Sequence, residues 1–391
     1  MILLKKVTLI SMVIGLTLFA QTAKEFRDEQ RKMFKSFKNT QKDSFEEYKA
    51  QQKKAYNEFK QQILKYWDEP KLSTPKKWVS YSNSLKTRTD VDFEHKNITL
   101  QTIASSPQEA KKKLQKALAK IVTIDTKTLQ KTDPLEKKLN KIKVPKNVLD
   151  DEVDKKPILS TVIFEKKPSK KDVKSYVDKT IVYKNIKEKK STKLNHQKVY
   201  SINVALPKDT MIKRSKVYYS EVKKQADRQE LPVALVFAIM HSESSFNPRA
   251  RSPIPAYGLM QIVPKTAGVD SYKYLYNEKK LVSSRYLYNS KNNITMGSAY
   301  LHILYYNYLK KIKNPDSRLY CTIAAYNTGA GNVAWAFSRT KNINKAATII
   351  NTMTPDEVYN KLLSDLRYDE PKHYLKKVTK RMAAYHKVYG T

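Results

Sequence analysis

Residues 231–261 read LPVALVFAIMHSESSFNPRARSPIPAYGLMQ, and this stretch decides how the C-terminal half of the chain folds. Its first part is an apolar run, typical of a buried helix, and it ends in a single carboxylate, Glu243. The nearest other acids along the chain are Glu230 and Asp270. Burial raises the pKa of a carboxyl group, so Glu243 is a candidate general acid.

Helical spacing supports the burial of this carboxyl group. Positions three, four and seven before Glu243 hold Met240, Ile239 and Val236, which share its face of the helix. The alternative is that Glu243 only caps the helix or forms an ion pair at its end. The local pattern alone leaves both interpretations open.

The whole chain is strongly basic. Its 391 residues include 76 Lys and Arg against 37 Asp and Glu, which gives a formal net charge of +39. A field of this sign favours polyanions such as nucleic acid, anionic lipid or a carboxylate-bearing wall polymer. A general lysine bias that keeps the protein soluble accounts for the same charge.

The N-terminus predicts export. Two lysines precede an apolar run over residues 7–20, as in a secretory signal, and cleavage after Ala20 or Ala23 would leave a small residue at the junction. We therefore assign residues 1–23 to a signal peptide, with a retained N-terminal anchor as the alternative. Export favours envelope polymers over nucleic acid as partners. The only cysteine, Cys321, is far from the signal, so we expect no lipid-bearing cysteine after it.

Glycine usage divides the chain. One glycine lies in the predicted signal, and the other six all follow residue 257. We predict an amphipathic helical segment over residues 24–68, a small α+β domain over 69–206 and a mostly α domain over 207–391. The fold class is therefore α+β.

Local patterns give a first outline of the small domain. Residues 91–103 alternate as a strand does, and residues 158–164 and 199–206 also resemble strands. Residues 169–177 are predicted to be helical. The lysine-rich stretch 127–156 lacks periodicity and is predicted to be a loop or partly disordered.

Three separated motifs resemble the lytic transglycosylases of the soluble-lytic-transglycosylase type, which have a lysozyme-like fold. They are Glu243-Ser244 with Phe246-Asn247-Pro248, the turn Gly258-Leu259-Met260-Gln261, and the run Ala325-Tyr326-Asn327-Thr328-Gly329-Ala330-Gly331. The match continues to Glu370 and Tyr374 and covers residues 207–391. Within this family the chain is most similar to the membrane-bound lytic murein transglycosylase C subgroup, whose N-terminal domain the strand near residue 91 also resembles.

The resemblance implies that Glu243 is the catalytic acid and then the base at the β-1,4 bond between N-acetylmuramic acid and N-acetylglucosamine. Most glycosidases use two carboxylates. The resemblance implies that the muramoyl 6-hydroxyl closes on the anomeric carbon instead, which would leave 1,6-anhydromuramic acid ends. The resemblance also implies substrate-binding roles for Ser244, Ser252, Met260, Gln261, Tyr326, Asn327 and Tyr374. It implies no cofactor and no metal, and peptidoglycan glycan strands as the partner.

The chain departs from the subgroup in two ways. The lipid-bearing cysteine is absent, and Pro255 stands where many relatives carry glycine, which stiffens the loop before Gly258. We expect a periplasmic protein of a Gram-negative bacterium, with association to the envelope or outer membrane left open.

Two other functions are compatible with the same motifs. A muramidase would cleave the same bond with water and would need a second carboxylate near Glu243, from Asp365 or Asp369. A non-catalytic wall-binding protein would keep the fold without the chemistry.

Overall fold

The computed structural model of the protein describes residues 43–253 and 255–390. The predicted signal peptide and the first part of the predicted helical segment lie outside these residues. Within them, no helix is both long enough and apolar enough to span a membrane.

The described chain is mostly helical, with one substantial sheet. The strands are β1 (Lys77–Tyr81), β2 (Thr87–Asp92), β3 (Asn97–Ala104), β4 (Val148–Leu149), β5 (Lys187–Lys190), β6 (Lys198–Ala205) and β7 (Leu281–Val282). The helices are α1 (43–64), α2 (Pro107–Thr123), α3 (Thr126–Thr132), α4 (Pro134–Leu139), α5 (Ser160–Ile163), α6 (Lys170–Thr180), α7 (Thr210–Arg228), α8 (Val233–Ser244), α9 (Val269–Tyr276), α10 (Ser284–Tyr288), α11 (Ser290–His302), α12 (Pro315–Thr328), α13 (Ala330–Ser338), α14 (Ile343–Ile350), α15 (Pro355–Asp365) and α16 (Asp369–Tyr389). The predicted α+β class is confirmed.

Helices cover both faces of the five-stranded antiparallel sheet, whose order is β1-β2-β3-β6-β5. Val91 and Ile98 are paired across β2 and β3 and are fully buried in the core that also contains α2. On the opposite face, Ile103 packs with Phe59 and Ile63 of α1. The apolar stripe of α1 is therefore a packing face of the small domain.

Residues 91–103, predicted as one strand, instead contain the end of β2, the turn after it and most of β3. The Asp92 carboxylate accepts the His95 N–H at 2.9 Å, and Lys96 has a φ of 55°. These two features turn the chain between the strands. Residues 94–97 are all polar, so the hydrophobic alternation breaks at the turn, and this break was the signal that the prediction missed.

Two further predictions for the small domain are wrong, the first of them over residues 127–139 only, since most of residues 140–156 form neither helix nor strand. The stretch 127–156 contains most of α3 and all of α4, whose N-caps are Asp125 and Asp133. Residues 158–164 contain α5 rather than a strand. Short helices fixed by caps show little periodicity, and a short apolar run does not distinguish helix from strand. The predicted helix over 169–177 and the strand over 199–206 are confirmed as α6 and β6.

Helix α8 forms the centre of the C-terminal domain. Leu235, Phe237 and Ala238, on different faces of the helix, are all fully buried. Helices α7 and α16 pack against it. A helix that is apolar all round belongs in the interior, so the position of α8 is tightly fixed by its neighbours.

The small domain is joined to the C-terminal domain close to the end of α8. The Arg249 guanidinium is buried, forms an ion pair with Glu136 and donates to Gln130 Oε1 at 2.7 Å. It also lies 3.7 Å from the centre of the Tyr288 ring. The Asn247 amide lies 3.2–3.3 Å from three backbone carbonyls of residues 74–77.

The buried Arg249–Glu136 pair predicts a large effect of removing one partner. Glu136→Ala should lower the free energy of unfolding by about 3 kcal/mol, because it leaves a buried guanidinium without its counter-charge. Denaturant unfolding followed by circular dichroism measures this. Glu152→Ala is the control, since Glu152 pairs with Lys127 in full exposure and its loss should have no measurable effect. Equal stability of the two variants would contradict the prediction.

Candidate active site

The end of α8 presents the Glu243 carboxyl group in a half-buried position. Ser245 and Phe246 have φ angles of 49° and 59°, so the chain leaves the helix abruptly after Ser244. The Ser245 N–H still donates to the His241 carbonyl, at 3.1 Å. This abrupt exit of the chain keeps Glu243 in the final helical turn of a rigid, buried helix.

Tyr374 of α16 is the direct partner of this carboxyl group. Its hydroxyl donates to Glu243 Oε1 at 2.7 Å, and its side chain is only 7% exposed. Burial raises the pKa of Glu243 to about 7, while the hydrogen bond from Tyr374 lowers it. The negative charge of Glu370 raises this pKa further, and the positive charge of Lys76, from the small domain, lowers it. Near neutral pH the group can therefore both give and take a proton.

Glu370 is a site residue to which the sequence motif gave no role. It lies one helical turn before Tyr374, and Asn327 Nδ2 is 3.4 Å from its Oε1. Its i, i+4 spacing from Tyr374 was the signal that could have identified it.

The two aspartates considered for a water-using enzyme are engaged elsewhere. Asp365 pairs with Lys361 at 2.8 Å and with Arg339 at 2.9 Å. Asp369 pairs with Lys372 at 3.6 Å, and its side chain is 84% exposed. The carboxylate whose charge acts on Glu243 is instead that of Glu370.

Tyr326 also borders the site. Its hydroxyl donates to the Met260 carbonyl at 2.8 Å, and its ring meets that of Tyr300 edge-on at 5.6 Å. Burial raises the pKa of Tyr326, and the charge of Glu243 raises it further. Tyr326 is therefore a neutral group that connects the region of Glu243 to the turn over residues 258–261.

Ser244 and Met260 lie behind the site, in the interior. The Ser244 hydroxyl is fully buried and lies 2.7 Å from the Leu259 carbonyl. The Met260 side chain packs against Gly297 of α11, where a β-carbon would collide with its sulfur. Both residues hold the turn over residues 258–261 in place.

Asn293, fully buried in α11, organises the same turn. It lies outside the three sequence motifs, so the sequence did not predict its role. Its Oδ1 accepts the Met260 N–H, and its Nδ2 lies near the carbonyls of Tyr257 and Leu287, all at 2.8 Å. Gly258 has a φ of 76° and lies so close to Asn293 that a side chain would clash. The glycine is required there by both conformation and space.

Gln261 and Ser252 lie at the edge of the turn and its preceding loop. Gln261 Nε2 donates to the Gly258 carbonyl at 2.9 Å, whereas its buried Oε1 has no hydrogen-bond partner among the described residues. Such an acceptor is suited to a ligand donor. The Ser252 hydroxyl accepts the Ala256 N–H at 3.2 Å.

No residues in the described part of the chain group as a metal site would require. Three or more His, Cys, Asp or Glu side chains do not come together anywhere in residues 43–253 and 255–390. His241, two residues before Glu243, lies 3.1 Å from the Tyr385 hydroxyl through its Nδ1.

Two family models match the chain. Residues 220–349 match the transglycosylase SLT domain, and residues 40–217 match the N-terminal domain of membrane-bound lytic murein transglycosylase C. The 70 kDa soluble lytic transglycosylase of Escherichia coli is 25% identical, with a TM-score of 0.36 over 46% of this chain and 26% of that chain.

Curated relatives named membrane-bound lytic murein transglycosylase C cover most of the chain. The protein of Serratia proteamaculans is 34% identical over 313 residues, which is 80% of this chain and 82% of the relative. The protein of Photorhabdus laumondii is 33% identical over 80% of this chain and 83% of the relative. The protein of Klebsiella pneumoniae is 34% identical over 80% of this chain and 82% of the relative. These matches confirm the resemblance predicted from the motifs. The chain belongs to the membrane-bound lytic murein transglycosylase C family.

Proposed function

We propose that Glu243 is the acid and then the base of the lytic transglycosylase reaction that this protein, as a member of its family, carries out on peptidoglycan. The observation that supports this most is a carboxyl group with a raised pKa, about 7, held by a hydrogen bond from a buried tyrosine. A group poised near neutral pH suits both proton transfers.

The reaction uses one proton twice. Protonated Glu243 gives its proton to the glycosidic oxygen as the bond to the anomeric carbon breaks. The carboxylate that results accepts the hydrogen bond from Tyr374. The muramoyl 6-hydroxyl then bonds to the anomeric carbon and passes its proton to Glu243, which restores the acid and leaves a 1,6-anhydro end.

Two neighbours set the balance between the protonation states. The charge of Glu370 disfavours ionisation, so it keeps Glu243 protonated before the bond breaks. The hydrogen bond from Tyr374 favours the carboxylate, so it stabilises the state formed afterwards. We assign neither residue a direct proton transfer.

We assign the remaining residues by where they lie. For Gln261, whose Oε1 is buried and has no hydrogen-bond partner among the described residues, and for Ser252 and Asn327 we propose contacts with the substrate, as the family resemblance implies. Tyr326 orients the turn through the Met260 carbonyl. For Ser244 and Met260 we propose a supporting role beneath the turn, since both are fully buried.

The substrate suggests where the protein acts. We propose the periplasm of a Gram-negative bacterium, because the chain begins with a predicted signal and its relatives are named membrane-bound enzymes of such bacteria. The net charge of +39 suits a wall polymer that carries carboxylates. Association with the envelope is part of this proposal.

The first test is Glu243→Gln, which keeps the shape but cannot shuttle a proton. We expect cleavage of purified sacculi, followed by loss of turbidity, to fall roughly 10²–10⁴-fold, in the range of general acid–base catalysis. The control is Glu58→Gln, at an exposed position on α1, which should cleave at the unchanged rate. Full activity of Glu243→Gln with intact folding would refute the proposal.

The same variant should change the pH dependence of stability. The folded-state pKa of Glu243 is raised from 4.5 to about 7. The contribution of this group to the free energy of unfolding is therefore fully present below pH 4.5 and is lost as pH rises from 4.5 through 7. The Glu243→Gln variant has no ionisable group at this position, so it does not lose stability in this way. Its melting temperature should exceed that of the unmodified protein at pH 8, with the gap closing towards pH 4.5, as thermal unfolding at several pH values will show.

Tyr374→Phe tests the partner of the acid. Without the hydrogen bond the pKa of Glu243 should rise, so the alkaline limb of the kcat/KM profile should move to higher pH. kcat should fall about tenfold, since a hydrogen bond to a charged group is lost.

The matched control is Tyr326→Phe. Its hydroxyl binds the Met260 carbonyl and not the carboxyl group, so the alkaline limb should stay in place. An identical shift in the two variants would contradict the role given to Tyr374.

A further inference from the structure

Helix α1 lies against the segment over residues 251–265, which carries the proposed substrate-binding loop and turn. Tyr56 packs on Arg251 at the start of this segment, with the guanidinium carbon 3.6 Å from the ring centre. Glu46 forms an ion pair with Lys265 at its end. The helix therefore contacts the segment at both ends, from the side of the small domain.

Arg251 is held by rings rather than by an acid. In residues 43–253 and 255–390 it forms no ion pair with Asp or Glu, and its second aromatic neighbour is Tyr257, at 5.8 Å. Arg251 and Tyr257 also face each other in an antiparallel bridge. A half-buried guanidinium that forms no ion pair is stabilised by such rings.

The described parts of the loop, residues 251–253 and 255–258, are joined as in a small hairpin. The Ser252 N–H donates to the Ala256 carbonyl at 3.2 Å, and the Gly258 N–H donates to the Ala250 carbonyl at 2.9 Å. These bonds fix the shape of the loop, and Tyr257, bridged to Ile262 and bonded to Asn293, holds its second strand in the domain. The position of its first strand also depends on what the outer side of the loop contacts.

That outer side is not closely packed. A cavity of about 170 Å³ lies between Pro255 and Tyr257 of the loop and Phe45, Tyr48 and Gln52 of α1. Interiors that pack closely leave few such voids. The relative position of loop and helix therefore depends on discrete contacts, and among the described residues Tyr56 on Arg251 touches the loop strand that carries Ser252.

We propose that Tyr56 is a positioning residue for substrate binding: by stacking on Arg251 it fixes the loop that presents Ser252 to the glycan strand. The inference rests on the proposed role of that loop, but not on the role of Glu243. Substrate binding by the C-terminal domain would then depend on Tyr56, a residue of α1 that lies before the sheet in the sequence.

The test is steady-state kinetics of Tyr56→Ala on soluble, uncross-linked glycan strands. KM should rise about fivefold, as expected for the loss of one desolvated cation–π contact. kcat should stay within about twofold, and the alkaline limb of the pH profile should not move, because Glu243 and Tyr374 are untouched. Tyr56→Phe keeps the ring and should restore KM to within about twofold of the unmodified protein.

A matched control separates positioning from stability. Tyr66 lies just beyond α1 and packs beneath Lys86 of the small domain, away from the loop. Tyr66→Ala should lower the melting temperature without changing KM. Arg251→Met should raise KM as Tyr56→Ala does, and the double variant should be no worse than either single variant, since both remove the same contact.

Three outcomes would overturn the inference. They are an unchanged KM in folded Tyr56→Ala, an equal rise of KM in Tyr66→Ala, and strict additivity of the Tyr56 and Arg251 substitutions. Each can occur while Glu243→Gln is inactive, so a failure here is distinct from a failure of the proposed function.

Discussion

The hydrogen bond between the Tyr374 hydroxyl and Glu243 Oε1, 2.7 Å long, connects the two helices on which the site depends. Glu243 ends a helix that is apolar on every side, so its carboxyl group is pushed towards the neutral form. Tyr374 opposes this push. The outcome is a pKa of about 7, which would be lost if either the burial or the hydrogen bond were removed.

Other parts of the structure hold Tyr374, Glu243 and the turn over residues 258–261 in position. Helix α16 packs along α8, which sets Tyr374 opposite Glu243. Asn293, Gly258 and Gly297 shape the turn that ends in Gln261. The small domain adds Lys76, whose charge reaches Glu243, and is fixed beside the site through the buried contacts of Arg249. The small domain therefore contributes a charge to the environment of Glu243.

The sequence revealed the groups whose signal is local. The apolar spacing before Glu243 predicted a buried carboxyl group, and the motifs predicted the family. The direction in which a side chain points could not be predicted from the sequence. Met260 belongs to a motif, yet its side chain packs in the core against Gly297. Asn293 is essential to the turn but lies in a helix with no motif around it. Helices α3 and α4 depend on capping by Asp125 and Asp133, which hydrophobic periodicity does not record.

The central claim is that one carboxyl group suffices because the sugar, and not water, completes the reaction. Digestion of sacculi in water enriched in oxygen-18, followed by mass spectrometry of the products, tests it directly. We predict that most new muramoyl ends are 1,6-anhydro and carry no heavy oxygen. Predominantly reducing ends labelled with oxygen-18 would contradict it.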